Sequence, residues 1–288
     1  MTAIGTVAVL GAGTMGHGIA QVAAMAGCAV HLSDEAEEFV TRGLRRIRQN
    51  LEDGVARGKV TADVRDTALA RLVAFADVRN SVQDADLIIE AVPERFDLKV
   101  DVLRRAERAA PPHAILASNT SSLSITDLQQ QLSGQGRVIG LHFFNPVHIN
   151  RLVEVVRGRA TAQDTVDAVL AFVHAIDKEA VLVNDAPGFA TSRLGVLLGL
   201  EAMRMVEQGV ASAQDIDRAM ELGYKHPMGP LRLTDLVGLD VRLDIANYLH
   251  SKLGAEQFRP PEILRRMVAE GKLGKKSGHG FYDWTERG

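Results

Sequence analysis

The chain has a single cysteine, Cys28, in 288 residues, which excludes an intramolecular disulfide and any thiol cluster for a structural zinc. That economy suits a reducing cytoplasm. Basic excess is also missing: 33 Lys and Arg stand against 36 Asp and Glu, a net charge of −3. A nucleic-acid polyanion is therefore not the expected main partner, and only local basic patches remain for binding phosphates. No apolar run approaches the ~18 residues that a membrane span requires. The opening MTAIGTVAVLGAG has no basic stretch ahead of a long apolar core, so the expectation is a cytoplasmic, unprocessed protein with no membrane partner and no metal. What the chain does have is apolar material, 46% of its residues, enough at this length for the cores of two ordinary domains.

Residues 4–10 (IGTVAVL) form a short run rich in β-branched side chains, followed by glycines and then by Ile19, Val22, Ala23 and Ala26 at helical spacing. That pattern predicts strand, turn, helix. Ala29–Ser33 reads as a second strand, and 35–58 as a long polar helix carrying Arg42, Arg45, Arg46, Arg48 and Arg57. A further helical stretch at 61–72, after Gly58, completes a helical hairpin inserted behind the second strand. Apolar runs at 86–92, 114–117 and 137–143 then alternate with helical patterns at 96–110 and 124–132, and strand-like runs follow at 152–157 and 180–184. From Pro187 the pattern is helical only, near 189–208, 212–222, 230–250 and 260–270. The predicted architecture is α/β: a Rossmann-type, doubly wound, mainly parallel sheet with an inserted helical hairpin over 1–185, then an all-α domain over 186–288.

The segment Gly11-Ala12-Gly13-Thr14-Met15-Gly16 matches GxGxxG directly after a strand and at the opening of a helix. Gly11 permits the tight turn, Gly13 lets the backbone approach a pyrophosphate, and Gly16 lets helix pack on strand. The helix N-terminus offers unpaired N–H groups to phosphates. Asp34 follows the last glycine by 18 residues, at the end of the second strand, where a carboxylate accepts hydrogen bonds from an adenosine ribose. The same carboxylate repels a 2′-phosphate, and Ser33 and Glu35 beside it supply no guanidinium, so NAD is favoured over NADP. FAD shares the fingerprint but ranks behind, because the helical second half is short for a flavin-capping domain.

Three stretches suggest chemistry at the carboxyl edge of the sheet. Ala117-Ser118-Asn119-Thr120-Ser121-Ser122 places small hydroxyls after a strand, and Gly140–Pro146 (GLHFFNP) and Leu152–Val156 (LVEVV) follow. If the last two are antiparallel neighbours with a turn centred near His148, His142 faces Glu154. A carboxylate against an imidazole fixes its tautomer and ring direction, as removal of an alcohol proton requires. Taken alone, His142 reads equally well as a satisfied core histidine, and hairpin registers slip easily.

The ordered motifs GAGTMGHGIA, EAVPERFDLK, LASNTSSLSI, GLHFFNP, LVEVV, PGF, HPMGP and GKKSGHGFYDW resemble those of 3-hydroxyacyl-CoA dehydrogenases, continuously from about residue 3 to 284. The resemblance is greatest to short, single-function bacterial members that act on 3-hydroxybutyryl-CoA and similar esters. It implies that His142 is the catalytic base, Glu154 its orienting partner and Ser121 a contact of the substrate hydroxyl or nearby cofactor atoms. It also implies cofactor contacts by Met15, Asp34, Glu94, Lys99, Asn145 and Lys276, and contacts to CoA by Asn50 and Arg57 on the hairpin. The family often has an asparagine four residues after the glycine of PGF. Here that position is Ser192, which shortens the reach toward the substrate.

The arginine-rich face of 42–57 is either a phosphate-binding surface or an ordinary solvated helix face. Leu194, Leu197, Leu198, Leu200 and Met203 exceed what one buried helix face needs; core packing within the domain is the plainer explanation, and it is the resemblance that implies a homodimer through the helical domain, which would also close over substrate. His226 in HPMGP reads as part of a shaped turn rather than of the site. Two rival functions stay open: a dehydrogenase of the same lineage acting on a sugar acid such as L-gulonate, and a non-catalytic relative that retains NAD.

Overall fold

A computed structural model describes residues 4–285. The chain divides into two compact units, Met1–Ala186 and Pro187–Gly288. In the first, β1 (Thr6–Leu10) leads into α1 (Gly16–Met25), and β2 (Ala29–Ser33) into the hairpin of α2 (Glu37–Ala56) and α3 (Ala62–Ala70). Then come β3 (Leu72–Phe75), the single turn α4 (Val78–Ser81), β4 (Leu87–Glu90), α5 (Phe96–Ala109), β5 (Ile115–Ser118) and α6 (Ile125–Gln129). The unit ends with β6 (Val138–Phe143), β7 (Leu152–Arg157), α7 (Gln163–Ala175) and β8 (Glu179–Asn184).

Among the described residues these eight strands form one sheet in the order β3-β2-β1-β4-β5-β6-β7-β8. All neighbours are parallel except β6 and β7. The central strands β1, β4 and β5 are buried along almost their whole length, because helices cover both faces, and so they read as continuous apolar runs. Alternate residues still go to opposite sides: Val7 and Val9 pack with Ile19, Ile47 and Leu51, while Ala8 and Leu10 pack with Ile88, Leu103 and Leu116. Each such Leu or Ile contributes ~1.5–3 kcal/mol by leaving water. Polar residues enter at the ends of three strands of the sheet, with Ser33, Glu90 and Ser118 the last residues of β2, β4 and β5. The sheet therefore delivers its buried polar groups to its carboxyl edge, where open α/β sheets bind ligands.

The helix expected over 61–72 stops at Ala70, and β3 takes over at Leu72. Thr61 caps its start, accepting from the Val64 amide at 3.2 Å. β3 escaped the sequence reading because it is a four-residue edge strand, with Val73 46% exposed, and carries no alternation long enough to notice.

The second unit contains α8 (Thr191–Glu207), α9 (Ala213–Tyr224), α10 (Pro230–Val237), α11 (Leu239–Leu253) and α12 (Glu262–Ala269). The single helix expected over 230–250 is two, broken at Gly238, whose φ of +106° is closed to other residues. Val196, Leu200, Met203, Leu231, Leu249 and Leu264 form the core. Of the surplus apolar residues on α8, Leu200 and Met203 are buried, whereas Leu194 and Leu198 are exposed by 61% and 43%. Two buried aspartates organise the irregular segments. Asp235 accepts from the amides of Phe281 and Tyr282 and from the Trp284 indole, each at 2.9 Å. Asp217 accepts from the Leu231 and Arg232 amides at 2.8 Å and from the Tyr282 hydroxyl at 2.7 Å.

Candidate active site

The glycine loop lies at the switch between β1 and β4, in a cleft of about 710 Å³ lined by Gly11, Gly13, Asp34, Arg42, Arg46 and Val92 among others. The three glycines differ in what they need. A Cβ on Gly11 would stand 2.8 Å from the Ala91 backbone, and one on Gly16 would run into the Gly11 carbonyl; both are packing requirements. Gly13 has nothing within 4 Å of a Cβ, so the bare backbone there faces outward, as a dinucleotide pyrophosphate needs. Asp34 accepts from Ala12 N at 2.6 Å and from Glu35 N at 2.7 Å. That uses two of about four acceptor sites on the carboxylate and leaves others for a ribose diol. Met15 sits half-buried where α1 begins. The residues present thus fit NAD.

Ser33 and Glu35 supply no guanidinium, but Arg42 and Arg46 line the same cleft as Asp34. Gly43 lets α2 come this close, since a Cβ there would be 2.9 Å from Ala12. The preference for NAD over NADP then rests on the Asp34 carboxylate itself. The arginine-rich face also divides, because Arg57 lines a different cavity.

On β6 and β7 the antiparallel register pairs His142 with Glu154. Nδ1 of His142 lies 2.8 Å from Glu154 Oε2, with Glu154 fully buried and His142 7% exposed. Donation by Nδ1–H to the carboxylate assigns the tautomer. The Phe144 ring packs on the imidazole at 4.3 Å, and Asn145 is exposed three residues along. Asn119 Oδ1 accepts from the Phe143 amide at 3.0 Å, tying the hydroxyl-rich loop to the strand that carries His142. The turn after Asn145 is stitched by Lys178, which donates to the carbonyls of Val147 and Asn150 at 2.6 and 2.7 Å; burial lowers its pKa.

The loop itself is held by a hydrogen-bond network centred on Glu94, whose side chain is 37% exposed. Glu94 Oε1 accepts from Thr120 Oγ1 at 2.5 Å, from Ser121 N at 3.0 Å and from Ser122 Oγ at 3.2 Å, with Ser121 Oγ at 3.4 Å. Burial works to raise the Glu94 pKa, but the charge of Lys99 and these donors outweigh it and hold the carboxyl below its ordinary range. Lys99, expected to touch the cofactor, is fully buried. Its ammonium donates to Glu90 at 2.8 Å and to the carbonyls of Val92 and Asn119 at 3.2 and 3.4 Å, and it pairs with Glu94 at 3.3 Å. The structure therefore makes it an internal strut, with its hydrogens directed at protein oxygens. Glu90, which the sequence reading missed, also accepts from Ser118 Oγ at 2.6 Å. Burial pushes its carboxyl up, with Lys99 opposing. A lone acid closing the apolar run DLIIEAV was the available signal.

Asn50 and Arg57 line a second cavity, about 730 Å³, together with Gln21, Lys59, His148 and Lys178. Asn50 donates to Gln21 at 3.1 Å. Ser192 and Lys276 belong to the other unit, Ser192 partly buried in the first turn of α8 and Lys276 paired with Asp240 at 2.5 Å.

The chain belongs to the 3-hydroxyacyl-CoA dehydrogenase family: the model of that family's NAD binding domain matches residues 6–186, and that of its C-terminal domain matches residues 188–284. NAD is accordingly the cofactor of the first unit. The chain is 44% identical to a probable 3-hydroxybutyryl-CoA dehydrogenase of Bacillus subtilis, over 97% of each chain. It is also 44% identical to a 3-hydroxybutyryl-CoA dehydrogenase of Mycobacterium tuberculosis, over 98% of this chain and 99% of that one. Among solved structures, the (S)-3-hydroxybutyryl-CoA dehydrogenase of Ralstonia eutropha superposes with a TM-score of 0.95 at 38% identity, covering 99% of this chain and 100% of the other.

Proposed function

We propose that the protein catalyses the reversible NAD-dependent oxidation of (S)-3-hydroxyacyl-CoA to 3-ketoacyl-CoA, on short chains such as 3-hydroxybutyryl-CoA. The observation that carries this reading is the enclosed His142–Glu154 pair at 2.8 Å. NAD, when bound, supplies the hydride acceptor. By engaging Nδ1–H, Glu154 makes Nε2 the nitrogen that takes the 3-hydroxyl proton, and it stabilises the imidazolium as that charge forms in a poorly hydrated setting. In the reverse direction protonated His142 returns the proton to the ketone oxygen. Ser121, aligned by Glu94, holds the substrate oxygen. Met15, Asp34, Asn145 and Lys276 hold the cofactor and Ser192 the acyl portion, while Asn50 and Arg57 take the CoA phosphates at the hairpin cavity.

A cytoplasmic homodimer serving fatty-acid β-oxidation completes the proposal. Exposed Leu194 and Leu198 on α8 support association through the helical unit, and no helix among the described residues is long and apolar enough to cross a membrane.

The test is NADH oxidation with a C4 to C16 series of 3-ketoacyl-CoAs. Highest turnover at the short end is expected. Absent turnover despite tight NADH binding would restore the non-catalytic reading, and faster turnover of a free hydroxy acid the sugar-acid one. Arg57→Ala should raise KM for the CoA ester about 5-fold at unchanged kcat, the size of one exposed phosphate contact; an unchanged KM removes Arg57 from the site.

A further inference from the structure

Arg242 lies in the first turn of α11 with 7% of its surface exposed. Its Nε is enclosed and has no hydrogen-bond partner. Among the described residues no carboxylate pairs with it; Asp240, two positions earlier, is held by Lys276 at 2.5 Å. Burial lowers the guanidinium pKa to about 10 with no acid acting against the shift, so the group still carries its charge at neutral pH. A cation taken out of water and left without an anion is costly, and the cost is removed when a ligand brings the anion.

A glycine defines where the charge sits. A Cβ on Gly195 of α8 would stand 3.5 Å from Nη1 and 3.9 Å from Nη2, so the guanidinium approaches a stretch of helix that has no side chain. Ser192 is three residues earlier, on the same face of α8. The positive charge is thus about one helical turn, ~5.4 Å, along α8 from the residue proposed to meet the acyl portion of the substrate. That distance is of the order of a short methylene chain.

We infer that Arg242 receives the terminal carboxylate of a dicarboxylic 3-hydroxyacyl thioester, so that this chain prefers substrates with a second acid at the far end of the acyl group. The planar guanidinium fork matches a carboxylate with two parallel N–H···O bonds, which a neutral acyl end cannot accept. The inference rests on the dehydrogenase reading above and names the substrate class of the same site.

The experiment compares kcat/KM for 3-oxoadipyl-CoA and 3-oxohexanoyl-CoA, equal in chain length and different in the terminal acid, in the wild type, Arg242→Met and Arg242→Lys. The wild type should prefer the dicarboxylic ester. Arg242→Met should lose roughly 10- to 100-fold on that ester alone, the scale of a hydrogen bond to a charged group, and Arg242→Lys should recover part of the loss. Ligand-free Arg242→Met should also melt no lower than the wild type and keep its oligomeric state, because it removes an uncompensated charge. Equal losses on both esters, or no wild-type preference for the acid, overturn the inference alone. A lower melting temperature or a dissociated Arg242→Met oligomer overturns it too, by showing that the protein itself supplies the anion. No turnover of either ester sinks the dehydrogenase reading and the inference with it.

Discussion

Buried charge is handled differently in the two units. In the first, acids and bases meet each other at the site, Lys99 with Glu90 at 2.8 Å and His142 with Glu154 at 2.8 Å, while the buried Lys178 donates to the carbonyls of Val147 and Asn150 instead. In the second, the buried acids Asp217 and Asp235 accept from backbone amides, a hydroxyl and an indole, and the buried base Arg242 pairs with no acid among the described residues. The difference follows from architecture. A sheet satisfies its own backbone, so its buried ionisable groups are available to orient one another at the carboxyl edge. A helical unit with long connections leaves amides to be satisfied, and there carboxylates do what strands do in the other unit.

The comparison breaks or holds on measurable effects. His142→Gln should lower turnover roughly 10²–10⁴-fold, the range for a positioned general base, with NAD affinity nearly intact by titration. Turnover close to wild type would mean that the His142–Glu154 pair is only structural. Lys99→Met should come next, destabilising the first unit by about 3–5 kcal/mol in urea, because Glu90 keeps a buried charge without a partner. The double variant Glu90→Gln/Lys99→Met should recover much of that, and no recovery would show that the pair is not a unit. Asp235→Ala should cost roughly 1–3 kcal/mol and speed amide exchange at Phe281 and Tyr282. Unchanged exchange there would remove Asp235 as the organiser of the C-terminal segment.

The smallest effect concerns His17 and His148. Burial lowers both pKa values below 6.5; for His17 the Gly13 carbonyl partly opposes this and Arg46 adds to it, and for His148 the charges of His17 and Lys178 add. A lowered folded value means that the unfolded chain binds these protons more readily. Their contribution to stability is therefore complete above about pH 6.5 and falls as pH drops through that value toward the folded ones. Melting temperature should decline over that window, and His17→Asn with His148→Asn should flatten the slope; an unaltered slope places the titration elsewhere.

Much of this was legible in the sequence where the signal is local or periodic. The glycine loop and Asp34 sit at fixed spacing, the helical second half announces itself by losing its strands, and the His142–Glu154 facing follows from hairpin symmetry, which the β6–β7 register matches. What stayed hidden depends on distant partners. Lys99 lies on an amphipathic helix and looks like any exposed lysine until Glu90 and Asn119, 9 and 20 positions away, surround its ammonium. The division of the arginine face between two cavities follows from Gly43 packing on Ala12, a contact between elements. The break at Gly238 was masked because apolar residues continue on either side, although Pro230 and Gly238 together marked it. Arg242 has no sequence signature at all: a buried cation without a partner is defined by what does not surround it.

Asp34 closes two amides, one in the glycine loop and one in its own turn. Any exchange at this position intended to admit a phosphorylated ribose would withdraw the acceptor that keeps the Ala12 amide in place. Altering nucleotide preference in this chain is consequently a two-site redesign, in which a new acceptor for the loop must be installed along with the new cation.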